Sequence, residues 1–199
     1  MAINNVESDS EMGDGFEDNV TELRIPEDRV AVLIGRNGET KKLLEEKGHI
    51  ALDIESENGI ISVRQNGDPL KANISMSVIQ AIGRGFNPQK AIELLQDNFQ
   101  LIVIPLRDFA KPGSKRIAEL RGRLIGTGGK TRRVVEELTS TYISVYGDTV
   151  SIIGDYVSVE YAREALMLLI KGSKQRTVYT FLEKNARELR LKRIEESFG

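Results

Sequence analysis

The sequence has no cysteine and a single histidine. Without cysteine there is no disulfide framework, no thiolate nucleophile and no zinc ribbon. His49 follows Gly48, which reads as a helix stop, and has no second imidazole to share a metal with. It therefore reads as a boundary residue, and neither a metal site nor a cofactor is expected. Long apolar runs are missing as well. Nothing approaches the ~20 residues of a membrane span, and the N-terminus lacks the apolar stretch of a signal peptide. The expectation is a soluble, cytoplasmic protein with no membrane partner. Its 199 residues suit two small domains better than one large one.

Net charge is also scarce, at −2, but its distribution is uneven. Residues 1–22 hold seven carboxylates and no Lys or Arg. Residues 107–133 hold nine cations against Asp108 and Glu119, a net of +7. A charge run is ordinarily a solvated face. This one surrounds a glycine-rich loop, and that placement favours an anionic partner. Residues 1–19 are acidic, polar and without periodicity, which predicts a disordered tail.

The loop occurs twice. Ile34-Gly35-Arg36-Asn37-Gly38-Glu39-Thr40-Lys41-Lys42 is matched 91 residues later by Ile125-Gly126-Thr127-Gly128-Gly129-Lys130-Thr131-Arg132-Arg133, and Glu45-Glu46 by Glu136-Glu137. A repeat at fixed offset signals a duplicated module. The surroundings repeat too. Thr21–Ile25 alternates as a strand, Pro26–Ile34 suits a short helix and Glu39–Lys47 a second helix. Ala51–Glu55 and Ile60–Arg64 are strands about the Asn58-Gly59 turn, and Pro69–Gly83 is a helix. The second copy gives a strand over Phe99–Leu106, helices over Ser114–Ile125 and Lys130–Leu138, a hairpin about Gly147-Asp148, and a helix over Tyr156–Lys171.

A glycine turn entering a helix lets the backbone approach an anion closely and aims its N–H groups at it, and the helix dipole adds to the attraction. Lys130, Arg132 and Arg133 lie just past the second loop, where cations meet phosphates. Glu39 occupies the matching place after the first, and residues 24–71 carry a net charge of −1. The second loop is therefore the stronger candidate. Gly129-Lys130-Thr131 also imitates the end of a nucleotide-binding P-loop. That motif needs glycine where Leu124 stands and a buried strand where helical spacing is found, so a nucleotide hydrolase is a minor alternative.

The order strand, helix, GxxG, helix, strand, strand, helix resembles the KH domain in its eukaryotic and archaeal arrangement. The resemblance implies an α+β protein of two tandem type I KH domains, each βααββα with a three-stranded antiparallel sheet on three helices, plus a C-terminal helix. The implied boundaries are 20–86 and 97–172, with a helical linker at 87–96 and an amphipathic helix at 173–199 after the 1–19 tail. Asn87-Pro88 caps the linker, whose Ala91, Ile92, Leu94 and Leu95 predict packing. The tail places Val178, Phe181, Leu182, Leu189, Ile194 and Phe198 near one side, for docking on the second unit, with binding of a partner protein as the alternative.

Gly128-Gly129-Lys130-Thr131-Arg132-Arg133 followed by Val134-Val135-Glu136-Glu137-Leu138, with Ala81-Ile82-Gly83-Arg84-Gly85-Phe86-Asn87-Pro88, resembles a narrower group, the archaeal branch of the partner-of-Nob-one family. That likeness implies a non-enzymatic factor binding single-stranded RNA at the 3′ region of small-subunit ribosomal RNA. It further implies partnership with the endonuclease that trims this end and with other assembly or translation factors. By the KH pattern, RNA contacts fall on Arg121, Arg123, Ile125, Gly126, Thr127, Gly128, Gly129, Lys130, Arg132 and Arg133, and secondarily on Gly35, Arg36, Asn37 and Gly38. Many KH domains carry an aliphatic residue three positions after the last loop glycine, where Lys41 and Arg132 stand here. A protein-interaction scaffold with weak RNA binding is the main alternative.

Overall fold

The computed structural model describes residues 20–198, so the acidic tail expected at 1–19 lies outside the described residues. Two units share one element order. The first runs β1 (Val20–Arg24), α1 (Glu27–Ile34), α2 (Glu39–Gly48), β2 (Ile50–Glu55), β3 (Ile60–Gln65) and α3 (Pro69–Gly83). A short α4 (Pro88–Ala91) and a 3-10 turn (Ile92–Leu95) lead to the second. That unit runs β4 (Phe99–Pro105), α5 (Lys115–Ile125), α6 (Lys130–Thr139), β5 (Tyr142–Tyr146), β6 (Thr149–Asp155) and α7 (Tyr156–Ile170). A long α8 (Gln175–Phe198) follows. Each unit has an antiparallel sheet with its last strand in the middle, ordered β1-β3-β2 and β4-β6-β5.

Local chemistry accounts for the helix ends. The Asp68 carboxylate accepts the Leu70 N–H at 2.9 Å, with Pro69 in the first turn of α3. Asp155 accepts the Ser158 N–H at 2.8 Å, and the Asn87 side chain accepts the Lys90 N–H at 2.9 Å. One expectation is corrected. Gly48 does not stop α2 but belongs to it, and His49 in the left-handed region (φ 49°) caps the helix. Gly48 is needed for packing, because a Cβ there would lie 2.0 Å from Ser75 Oγ on α3. The second unit ends α6 the same way, at Ser140 with φ 55°.

The two sheets differ in how they meet water. The outer face of the first carries exposed Glu22, Arg24, Asp53, Glu55 and Arg64. The second is covered on both sides, and Thr149 through Gly154 of β6 are all buried. On its inner side Val150 and Ile152 pack with Leu120, Leu124, Leu166 and Leu169. On its outer side Ile153, with Phe99, Leu101 and Tyr142, joins the core of the first unit beside Phe86, Ala91 and Leu94. The linker is therefore packed between the units.

Polar contacts fix the same junction. Ser144 Oγ donates to the Arg84 carbonyl at 2.8 Å, and the Tyr146 hydroxyl donates to Asp28 at 2.5 Å. Arg29 donates to the Ile82 carbonyl at 2.8 Å and the Phe86 carbonyl at 2.5 Å, with its guanidinium 5.8 Å from the Tyr146 ring centre. Burial first, and the Asp28 hydrogen bond second, push the Tyr146 phenol above its usual value near 10.0. A raised phenol favours the folded state while it is protonated, so its contribution is complete below about pH 10 and is lost as pH rises through the raised value.

The α8 helix docks through Val178 and Leu182, both buried in the second core, with Phe181 against it. Leu191 is exposed, and the side chains of Leu189, Ile194 and Phe198 lie outside the described residues.

Gly85 is the tightest point of the junction. It has φ +93°, and a Cβ there would lie 2.7 Å from Ser144 Oγ and 2.8 Å from Tyr146 Cβ. Gly85→Ala should lower stability by about 1–3 kcal/mol, read as a reduced urea midpoint. An unchanged midpoint would show that the units are not held together at this point.

Candidate nucleic-acid interface

Both GxxG segments fold alike. Gly35 and Gly126 have φ/ψ of 75°/174° and 72°/173°, Asn37 and Gly128 have 54°/25° and 58°/23°, and Gly38 and Gly129 have 77°/13° and 76°/14°. Each loop closes by a backbone bond, Gly38 N to Gly35 O at 3.3 Å and Gly129 N to Gly126 O at 3.1 Å. A buried threonine fills the space beneath. A Cβ on Gly35 would fall 2.4 Å from Thr40 Oγ1, and one on Gly126 would fall 2.1 Å from Thr131 Oγ1. The duplicated threonine thus belongs to the loop's foundation.

The outer surface of the second loop is open. A Cβ on Gly128 or Gly129 would meet nothing within 4 Å. No side chain caps the start of α6; the Gly129 and Lys130 N–H groups close the loop on the Gly126 and Thr127 carbonyls, and the positive end of the helix dipole lies at the loop. Lys130 is exposed there, and Arg133 donates to the Gly128 carbonyl at 3.2 Å, which keeps its guanidinium beside the loop. The α2 helix of the first unit starts in the same geometry but with Glu39 in its first turn. One backbone frame is thus set in two electrostatic environments.

The expected contact residues do not all point the same way. Arg121, Thr127, Gly128, Lys130 and Arg133 are exposed, and Ile125, Gly126 and Gly129 are half-buried at the rim. In the first loop, Arg36 and Asn37 are exposed while Gly35 and Gly38 are half-buried. Arg123 is half-buried and donates to the Ser173 carbonyl at 2.8 Å, tying α5 to the turn before α8. Arg132 pairs with Glu136 at 3.6 Å.

That pair accounts for the cations standing where KH domains commonly carry an aliphatic residue. Glu136 Oε1 accepts the Ile143 N–H of β5 at 2.8 Å, while Arg132 balances the carboxylate. In the first unit Glu45 Oε1 accepts the Leu52 N–H at 2.9 Å and pairs with Lys41 at 3.8 Å. Lys41 and Arg132 therefore support the carboxylate that ties each second helix to its following strand.

Two further residues join the site without a sequence signal. Lys90 of the linker reaches Glu136 at 4.0 Å and lies 4.7 Å from the Tyr142 ring centre. Tyr179 of α8 lies 3.3 Å from Thr131 Oγ1, so the C-terminal helix braces the floor of the second loop. Among the described residues no group of three metal-ligating side chains is found, and no helix is long and apolar enough to cross a membrane.

The family model for the second domain of PNO1, a eukaryotic-type KH domain of type I, matches residues 100–187. A KH domain-containing protein of Methanocaldococcus jannaschii is 38% identical over 183 residues, covering 91% of this chain and 80% of its own. A solved Pyrococcus horikoshii structure, the complex of a/eIF2alpha, aDim2p and rRNA, matches with a TM-score of 0.81 at 37% identity. That match covers 87% of this chain and 97% of the matched one. The chain belongs to the Dim2/PNO1 family of KH proteins. The pre-rRNA-processing protein pno1 of Schizosaccharomyces pombe is 29% identical over 120 residues, which is 60% of this chain and 50% of its own length. The family's KH-type α+β fold is the one described above for the second unit.

Glu136→Ala should leave the Ile143 N–H without its acceptor and cost about 1–3 kcal/mol in urea unfolding, while Glu136→Gln should recover most of the loss. Equal stability for all three proteins would remove the carboxylate from the strand's support.

Proposed function

We propose that both units are KH domains and that the protein is a non-enzymatic RNA-binding factor in ribosomal RNA maturation. In this reading it grips single-stranded RNA from the 3′ region of small-subunit pre-ribosomal RNA, chiefly with its second unit. The observation that carries the proposal is the open Gly128-Gly129 surface at the start of α6, with Lys130 and Arg133 beside it. The α6 dipole and these cations converge where nothing obstructs a phosphate. The rRNA named in the complex of its Pyrococcus relative and the processing role named for its fission-yeast relative support the substrate class.

The first unit repeats the loop, but Glu39 sits where a phosphate would approach. We assign it a weak RNA contact through Gly35, Arg36, Asn37 and Gly38, or a protein contact. The partner classes that fit are the endonuclease trimming the same RNA end and a translation factor of the kind named in the Pyrococcus complex. A chain acting only as a protein scaffold remains the second reading, carried by the first unit's electrostatics.

The decisive test is a pair of loop variants. Asn37 already holds the left-handed conformation that Gly128 has in the second loop, so an aspartate fits at Gly128 without unfolding it. Gly128→Asp with Gly129→Asp should abolish RNA binding in a filter or anisotropy titration, and Asn37→Asp with Gly38→Asp should weaken it less. The reverse order, with both variants folded, would overturn the assignment. Binding should favour a single strand over the same sequence in duplex, because A-form RNA hides its base edges.

The ionic term has its own readout. Lys130→Ala with Arg133→Ala should weaken RNA of any sequence. It should also flatten the log–log salt dependence by about 0.7 for each phosphate no longer neutralised. An unchanged slope would move the phosphate path away from the second loop.

A further inference from the structure

The second unit differs from the first in one connection. Ile25 and Pro26 alone join β1 to α1, whereas nine residues, 106–114, join β4 to α5, and α5 is eleven residues long against eight for α1. The longer connection therefore belongs to the unit that carries the basic loop. It presents an aromatic ring to solvent. Phe109 is 39% exposed, with exposed Arg107 and Lys111 on either side of it and Asp108 as the single opposing charge.

The segment is built to hold that ring out. Leu106 is fully buried as its anchor, and its N–H donates to the Asp148 carbonyl in the β5–β6 turn at 2.8 Å. The N–H groups of Phe109 and Ala110 both donate to the Leu106 carbonyl, at 3.0 and 3.2 Å. The Ser114 N–H donates to the Lys111 carbonyl at 3.2 Å, and its side chain accepts the Ile117 N–H at the start of α5. About two fifths of Phe109 stays open to water, and that part of its apolar surface contributes nothing to the core.

Resting on the RNA-binding reading of the second loop, we propose that Phe109 is a stacking platform for a nucleotide base, with Arg107 and Lys111 holding the flanking phosphates. It would extend the RNA path beyond the four nucleotides a KH loop clamps. The α5 helix links the two places directly. Its eleven residues span about 16 Å from the Phe109 segment to Gly126. Between them lie exposed Lys115 and Arg121, the exposed carboxylate of Glu119 paired with Arg116 at 3.3 Å, and Gly122, where a Cβ would meet nothing within 4 Å. Any base offers a flat π-face to such a ring, so the platform adds affinity and length dependence without selecting sequence.

The test compares single-stranded RNAs of mixed sequence, about 4 and about 10 nucleotides long, in anisotropy titrations against the full chain. The longer RNA should bind more tightly. Phe109→Ala should weaken it about 5- to 100-fold and leave the shorter one unchanged. Phe109→Trp should retain the wild-type affinity, and Phe109→Leu should behave like alanine, because bulk without a π-face does not stack. The platform is overturned if Phe109→Ala leaves the longer RNA unaffected while the Gly128→Asp, Gly129→Asp protein fails to bind; the second-loop reading then stands. It is also overturned if leucine restores full binding, which would mark an apolar contact for a protein. Equal loss on both lengths would overturn it as well. Failure of wild-type protein to bind either RNA overturns both readings together.

Discussion

A sheet that is apolar on both faces must be covered twice, and the second sheet is such a sheet. Its inner face lies on α5, α6 and α7 of its own unit, but its outer face has no helix of its own. The linker and the end of α3 cover it, with Ile153, Phe99 and Leu101 entering the core of the first unit. Burying these side chains is worth roughly 1.5–3 kcal/mol each when complete. The arrangement of the two units follows from that demand. The close approach at Gly85, the Tyr146–Asp28 hydrogen bond and the position of Lys90 beside Glu136 are all consequences of one apolar face seeking cover.

The two units share a backbone course and differ in the chemistry set on it. The two loops agree to within a few degrees at each left-handed position, and each rests on a buried threonine. What differs is what surrounds them: a glutamate in the first turn of α2, lysine and arginine in that of α6, and a brace from α8 under the second loop alone. A phosphate grip depends on donors that cost nothing to reorganise and on a field that does not oppose the anion. At the first loop Glu39 sets a carboxylate against an incoming anion, and at the second Lys130 and Arg133 set cations beside it.

Much of the fold is readable from residue order. The strand alternation, the Asn87 cap and the apolar linker act within a few residues, where sequence and geometry are closely tied, and the repeat at an offset of 91 shows the same local signals twice. What is not readable depends on contacts across the chain. Arg123 reads as one more cation for phosphate, but it binds a carbonyl 50 residues away. Lys41 and Arg132 break a sequence pattern because each serves a glutamate one turn later. Gly48 reads as a helix stop because its need for space against Ser75 is invisible in sequence. The exposure of Phe109 is equally hidden, since an aromatic beside an apolar strand is more often core.

The carboxylates of Glu45 and Glu136 have one more effect, and it concerns partners the protein must avoid. The strands β2 and β5 lie at sheet edges, and an edge strand offers its outward N–H groups to any other strand that meets it. Two modules of near-identical pattern on one chain run this risk acutely, because each edge would suit the sheet of its twin, in the same molecule or the next. A glutamate from the preceding helix already occupies one outward N–H on each of these edges. With that N–H taken, each edge has one bond fewer to offer a twin strand, which disfavours merging the two sheets into one.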